Sequence, residues 1–268
     1  MTSDPAVPAI DAGSVDAPGV PRHAALPWRG FLVDCLVAAA LLIGFSLLFI
    51  VPIVMLHLGN PAAPGSRVGA QAVMAAALPA ITVAAILAVL VAAMLTWWLR
   101  GRSLVGPLVR MAAMPAYGLA ITAGIVIQLG AQSFAWLLAQ SGAGMQPSNA
   151  QPLIALFATA PWAAWLLVVV VGPFAEELLM RHVLLRRFAV AGHAAIGLVL
   201  TSVAFALLHE PAPTNAGVAA WLGGLATYAG MGAAFALVYL RTGRFRAAFL
   251  AHAACNAAAL IVAAYSAS

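Results

Sequence analysis

Residues 161–188 read PWAAWLLVVVVGPFAEELLMRHVLLRRF, and this stretch decides what kind of chain it is. An uncharged run from Pro161 to Ala175 leads directly into Glu176 and Glu177. The apolar character then resumes and ends on the basic pair Arg186 and Arg187. Such a run is a membrane-crossing helix, and a carboxylate placed at bilayer depth costs about 2.5 kcal/mol or more. The chain contains only one other glutamate, Glu210. Two of the three standing side by side in an apolar run therefore need an explanation.

Composition supports the membrane reading. The chain is 65% hydrophobic and 7% charged, with a mean hydropathy of +1.04, whereas a soluble domain carries roughly 25% charged residues. The apolar runs are long and rich in Ala, Leu and Val. They do not alternate with period two, which argues against a transmembrane β-barrel. All twelve basic residues are arginines, as suits a GC-rich bacterial genome, and they fall in short groups between apolar runs. That distribution anchors loops and makes no nucleic-acid-binding face. Cys35 and Cys255 lie in apolar runs without a CxxC or Cys/His cluster, so both read as ordinary packed thiols.

Residues 1–27 are rich in Ala, Pro, Gly and Asp and read as a disordered tail. Asp4, Asp11 and Asp16 replace the basic start of a signal peptide. Residues 28–268 read as one transmembrane domain of the all-α class, a polytopic bundle of seven to eight transmembrane helices. The spans fall at about 31–56, 71–99, 110–138, 153–172, 174–189, 194–209, 217–240 and 247–265. The fourth and fifth are expected to be one long helix broken at Gly172-Pro173. With these two counted as one crossing, Arg22, Arg29, Arg100, Arg102, Arg110, Arg186, Arg187, Arg241, Arg244 and Arg246 fall on one side. This predicts an inner-membrane protein with its N-terminus in the cytoplasm.

Three short polar sets stand in these runs. Glu177 and Arg181 are four apart, on one helix face and in the favourable order for an ion pair. Glu176 points about 100° away from Glu177 and is free to face a cavity, although the opposite assignment of the two glutamates fits the spacing as well. Phe205 and His209 are four apart, as are His252 and Asn256. Singly, each set has a structural use: a packing ion pair, an interfacial histidine, an interhelical hydrogen bond. Together, a carboxylate and two histidines inside a membrane suit hydrolysis, which needs a base for water and donors for the developing oxyanion. A Glu and two His are equally a zinc set with water as fourth ligand. His209-Glu210-Pro-Ala-Pro213 is not an HExxH motif, and Glu210 reads as a loop residue. His182, His193, His57 and His23 read as non-catalytic.

One discrepancy remains at this level. Counting rises of about 1.5 Å per residue puts Glu176, His209 and His252 at roughly 15, 22 and 9 Å from the arginine-bearing face. The three depths do not coincide without tilt or a broken helix.

The ordered set Glu176-Glu177…Arg181, Phe205…His209, His252…Asn256 resembles the CPBP family, the CAAX prenyl protease and bacteriocin-processing (Abi) intramembrane proteases. The resemblance covers residues 150–265. It implies an eight-span helical fold with a conical cavity and cleavage near the end of a membrane-embedded or lipidated peptide or protein substrate. It also implies that Glu176 and His209 activate water, that His252 and Asn256 stabilise the oxyanion, and that Arg181 holds Glu177. The family has been described both as metalloproteases and as metal-free glutamate proteases, so zinc and no cofactor both stay open. In a bacterial chain, a signalling or other membrane-anchored peptide suits the substrate better than a prenylated protein. Two other readings compete. One is a non-enzymatic bacteriocin-immunity or scaffold protein of the same fold. The other is a proton-coupled transporter, for which no inverted repeat is evident.

Overall fold

A computed structural model of the chain describes residues 26–58, 67–104, 108, 110–142, 144, 147–213 and 217–266. Most of the tail expected over residues 1–27, including Arg22 and His23, lies outside the described residues. Eight helices follow one another, with no strand among the described residues. They are α1 Trp28–Leu58, α2 Arg67–Thr96 continued by the wider turn Trp97–Gly101, α3 Ala113–Gln140 and α4 Ala150–Thr159. Then come α5 Pro161–Val190, α6 Ala194–His209, α7 Val218–Thr242 and α8 Phe245–Ser266. Six of them, α1, α2, α3, α5, α7 and α8, are long and apolar enough to cross a membrane, while α4 and α6 are shorter apolar helices. The chain is a polytopic all-α membrane protein.

The helix break expected at Gly172-Pro173 is not there. The chain breaks instead at Ala160, which has left the helical region (φ −147°, ψ 69°), and Pro161 opens α5 at a position where its missing N–H costs nothing. Pro173 sits inside α5. The helix takes it by widening to π geometry over Leu166–Val171. There the Gly172 N–H reaches back five residues to the Leu167 carbonyl. Wide turns of this kind accommodate a missing backbone donor without ending the helix.

Packing follows membrane rules. Large side chains such as Leu36, Met55, Val126, Trp162, Val199 and Leu237 face outward, while helix contacts are lined by small residues, because lipid gives Leu no reason to turn inward. On α3 the buried positions Ala116, Ala120, Gly124 and Gln128 recur every fourth residue. They meet α8, whose buried positions include Ala247, Ala251 and Cys255. The approach is so close that a Cβ at Gly124 would lie 2.2 Å from the Ala251 carbonyl oxygen. Glycine is therefore required there for steric reasons.

Polar contacts gather the arginine-bearing ends at one end of the bundle. Asp34 on α1 accepts hydrogen bonds from Arg100 at the end of α2 (2.7 Å) and from Arg187 near the end of α5. Arg186 donates to the Leu104 carbonyl, and Arg244 donates to the Met111 carbonyl. The Met111 N–H in turn reaches Thr242 at the end of α7. Gly243, with φ 62°, ends α7 and turns the chain into α8 at this same end.

Candidate active site

The two adjacent glutamates of α5 are separated by helical phase, as a 100° step requires. Glu177 points into the protein, where it is fully buried. Its Oε2 accepts from Arg181 Nε at 3.0 Å and its Oε1 faces His252 Nδ1 at 3.1 Å. Arg181 is also fully buried, its guanidinium 5.6 Å from the Phe205 ring. Glu176 points the other way, into a cavity, with 27% of its side chain exposed.

Two histidines converge on Glu176. Its Oε2 lies 3.7 Å from His209 Nε2 and 3.9 Å from His252 Nε2. The depths that do not coincide when counted along separate spans are thus brought level by the fold. Each ring is fixed by a partner that only accepts. His209 Nδ1 faces the carbonyl of Phe205, one turn earlier, at 2.9 Å, and His252 Nδ1 faces the Glu177 carboxylate. Both Nδ1 atoms must carry the proton, so in the neutral rings both Nε2 atoms present lone pairs towards Glu176. Glu176 Oε2 is itself buried and without a hydrogen-bond partner. Three acceptors facing one small space call for a donor between them.

Aromatic rings hold the imidazoles. His209 lies between Phe205, at 4.3 Å between centroids, and Tyr228, stacked at 4.4 Å. His252 stacks on Phe235 at 4.4 Å. Tyr228 and Phe235 belong to α7 and escape sequence reasoning, because nothing local distinguishes them from other aromatics in an apolar span.

Asn256 is tied to α5. Its Nδ2 donates to the Val168 carbonyl at 2.9 Å. In the widened register, the N–H that would reach Val168 belongs to residue 173, a proline with none to give. Asn256 supplies the donor that Pro173 lacks, and its second amide proton is left for the cavity.

Glu176, His209, His252 and Asn256 line one side of a cavity of about 800 Å³, within the size range of ligand sites. A second cavity, of about 180 Å³, meets the same Glu176 and His209 from the α1–α2 side and is bounded by Ala38, Leu42, Val89 and Ala92. Glu210 is not the loose loop residue its neighbouring prolines suggest. It is buried, its Oε1 accepts from the Ser148 N–H at 3.1 Å and its carbonyl accepts from Trp221 Nε1 at 2.9 Å. A non-local partner, the segment before α4, makes that burial favourable. Away from the cavity, His182 lies against Tyr239 and Phe245, and His57 bonds to the Ile53 carbonyl near the end of α1.

The donor types around Glu176 suit zinc, since Oε2 is orphaned and two Nε2 lone pairs face it. Their spacings exceed the roughly 3.4 Å that bonds of about 2.0–2.1 Å to a tetrahedral zinc would set. Among the described residues, no group of three or more His, Cys, Asp or Glu is arranged as a metal site.

Neither a curated protein nor a solved structure matches the chain. Residues 158–258 match a family model described as Rce1-like, type II CAAX prenyl endopeptidase. The matched segment runs from the last residues of α4 to just beyond Asn256 and contains all three polar sets. This match supports assigning residues 158–258 to the CPBP/CAAX family of membrane proteases.

Proposed function

We propose that this protein hydrolyses a peptide bond of a membrane-anchored or lipidated peptide, using a water activated between Glu176 and His209. The observation that carries the reading is the convergence of Glu176 Oε2 and two histidine Nε2 atoms, all acceptors, on one point of a large cavity. A water there donates one proton to Glu176 and the other to His209, and keeps a lone pair for attack.

The water oxygen bonds to the scissile carbonyl carbon, Glu176 takes its proton, and the carbonyl oxygen becomes an oxyanion. The free amide proton of Asn256 donates to that oxygen. His252 Nε2 stands beside the same point, its ring held at Nδ1 by Glu177. The C–N bond then breaks as Glu176 returns its proton to the leaving nitrogen, giving a free acid and a free amine. On the same reading the arginine-bearing end is cytoplasmic and the membrane is the cell inner membrane.

The test is cleavage of quenched-fluorescent peptides, lipidated and plain, by purified protein reconstituted in bilayers, with and without a chelator. Loss of cleavage in a folded Glu176→Gln protein is expected, and full activity of that variant would overturn the reading.

A further inference from the structure

We infer that Gln128 and Gln132 of α3 form a main-chain binding ladder for the extended substrate segment beside the scissile bond. This rests on the reading of the cavity as a peptidase site.

The small-residue stripe of α3 that packs on α8 ends on a glutamine. Ala116, Ala120 and Gly124 are followed at the same spacing by Gln128, whose residue is only 9% exposed, and Gln132 continues the row one turn further. Both line the large cavity. A primary amide in an apolar span is costly unless it finds partners, and among the described residues Gln128 has one hydrogen-bond partner. Its Oε1 accepts from the Cys255 thiol at 3.6 Å, which orients the carboxamide and leaves Nε2, a two-proton donor, for the cavity. Cys255 lies in the same turn of α8 as His252 and Asn256, so Gln128 stands level with the groups proposed to act on the carbonyl. The close contact at Gly124 fixes α3 rigidly against that turn.

Spacing identifies the occupant. Side chains four apart on a helix rise about 6 Å. In an extended peptide, carbonyls pointing to the same side recur every two residues, about 6.6 Å apart. Two carboxamides at this interval therefore match alternate carbonyls of an extended chain. The match is to peptide backbone, so the ladder takes an extended segment irrespective of its side chains.

The experiment uses a quenched-fluorescent prenylated peptide with protein in nanodiscs. KM and kcat are read on catalytically competent protein, and Kd by anisotropy in the Glu176→Gln background. Gln128→Leu should raise KM and Kd about tenfold, as for one hydrogen bond to a neutral acceptor, with kcat within about threefold. Adding Gln132→Leu should raise them further. Replacing the paired substrate amide by an ester, a weaker acceptor, should weaken binding to protein carrying Gln128 and leave the Gln128→Leu protein unaffected. If Gln128→Leu does not fold, Gln132→Leu, which is cavity-exposed, carries the same comparison. Unchanged KM and Kd, or a fall in kcat alone, would overturn the ladder. Binding without cleavage by wild type would overturn the proposed function while Kd still decides the ladder, and a probe that no variant binds would overturn both.

Discussion

Two carboxylate clusters sit in this bundle, and they are built on opposite principles. At the arginine-bearing end, Asp34 is fully buried, and each of its oxygens accepts from a different arginine, Arg100 or Arg187. Deeper in, Glu177 is closed in the same way by Arg181 and His252. Glu176, one residue away, is not closed. Its Oε2 is orphaned and faces two imidazole lone pairs across a cavity. A buried carboxylate whose two oxygens both have partners clamps helices together, although Nη1 and Nη2 of Arg181 are themselves buried without one among the described residues. One that is left open at a cavity wall has room for a further partner, which is what the proposed hydrolysis asks of Glu176.

This contrast can be broken experimentally. The largest effect is expected at the open carboxylate. Glu176→Gln should lower kcat by about a thousandfold, the range for losing a general base, with an unchanged melting temperature in detergent. An equal loss of stability would make Glu176 a clamp like the others.

Next comes the closed pair. Arg181→Met leaves Glu177 buried without its cation and should destabilise the protein by about 3–5 kcal/mol, measured as a large fall in melting temperature. Retention of wild-type stability would show that His252 alone suffices as partner.

Asn256→Leu removes both the donor for the Val168 carbonyl and a proposed oxyanion donor. It should cost about 1–3 kcal/mol of stability and also lower kcat. A pure stability effect would reduce Asn256 to repair of the proline defect. The smallest effect is expected at the far clamp. Arg100 is a third exposed, which screens its share, so Asp34→Asn should cost about 1–2 kcal/mol and leave kcat/KM of the folded protein near wild type. A large loss of activity there would mean that the two clusters are coupled through α5.

Much of the site was legible because helical phase is a local property. The step from Glu176 to Glu177, the four-residue reach to Arg181, and the placing of His209 one turn after Phe205 need nothing beyond 3.6 residues per turn. Asp34, a charge inside FLVDCLV, is not singled out by the sequence reading, because its two arginine partners come from helices distant in sequence. The break was misplaced for a similar reason. Pro173 looks like a helix breaker until Asn256, from α8, is available to bond Val168.

The sequence by itself determined a helical membrane protein, its apolar spans, and the three polar sets that carry the family resemblance, because hydropathy and periodicity act over a few turns. Only the tertiary structure decided that three side chains counted to different depths meet around one point. It likewise decided that Tyr228 and Phe235 grip the histidines, that Glu210 is buried against Ser148, and that Gln128 stands beside the site. These outcomes depend on which helices become neighbours, and that is fixed by close packing of small residues over long separations in the chain.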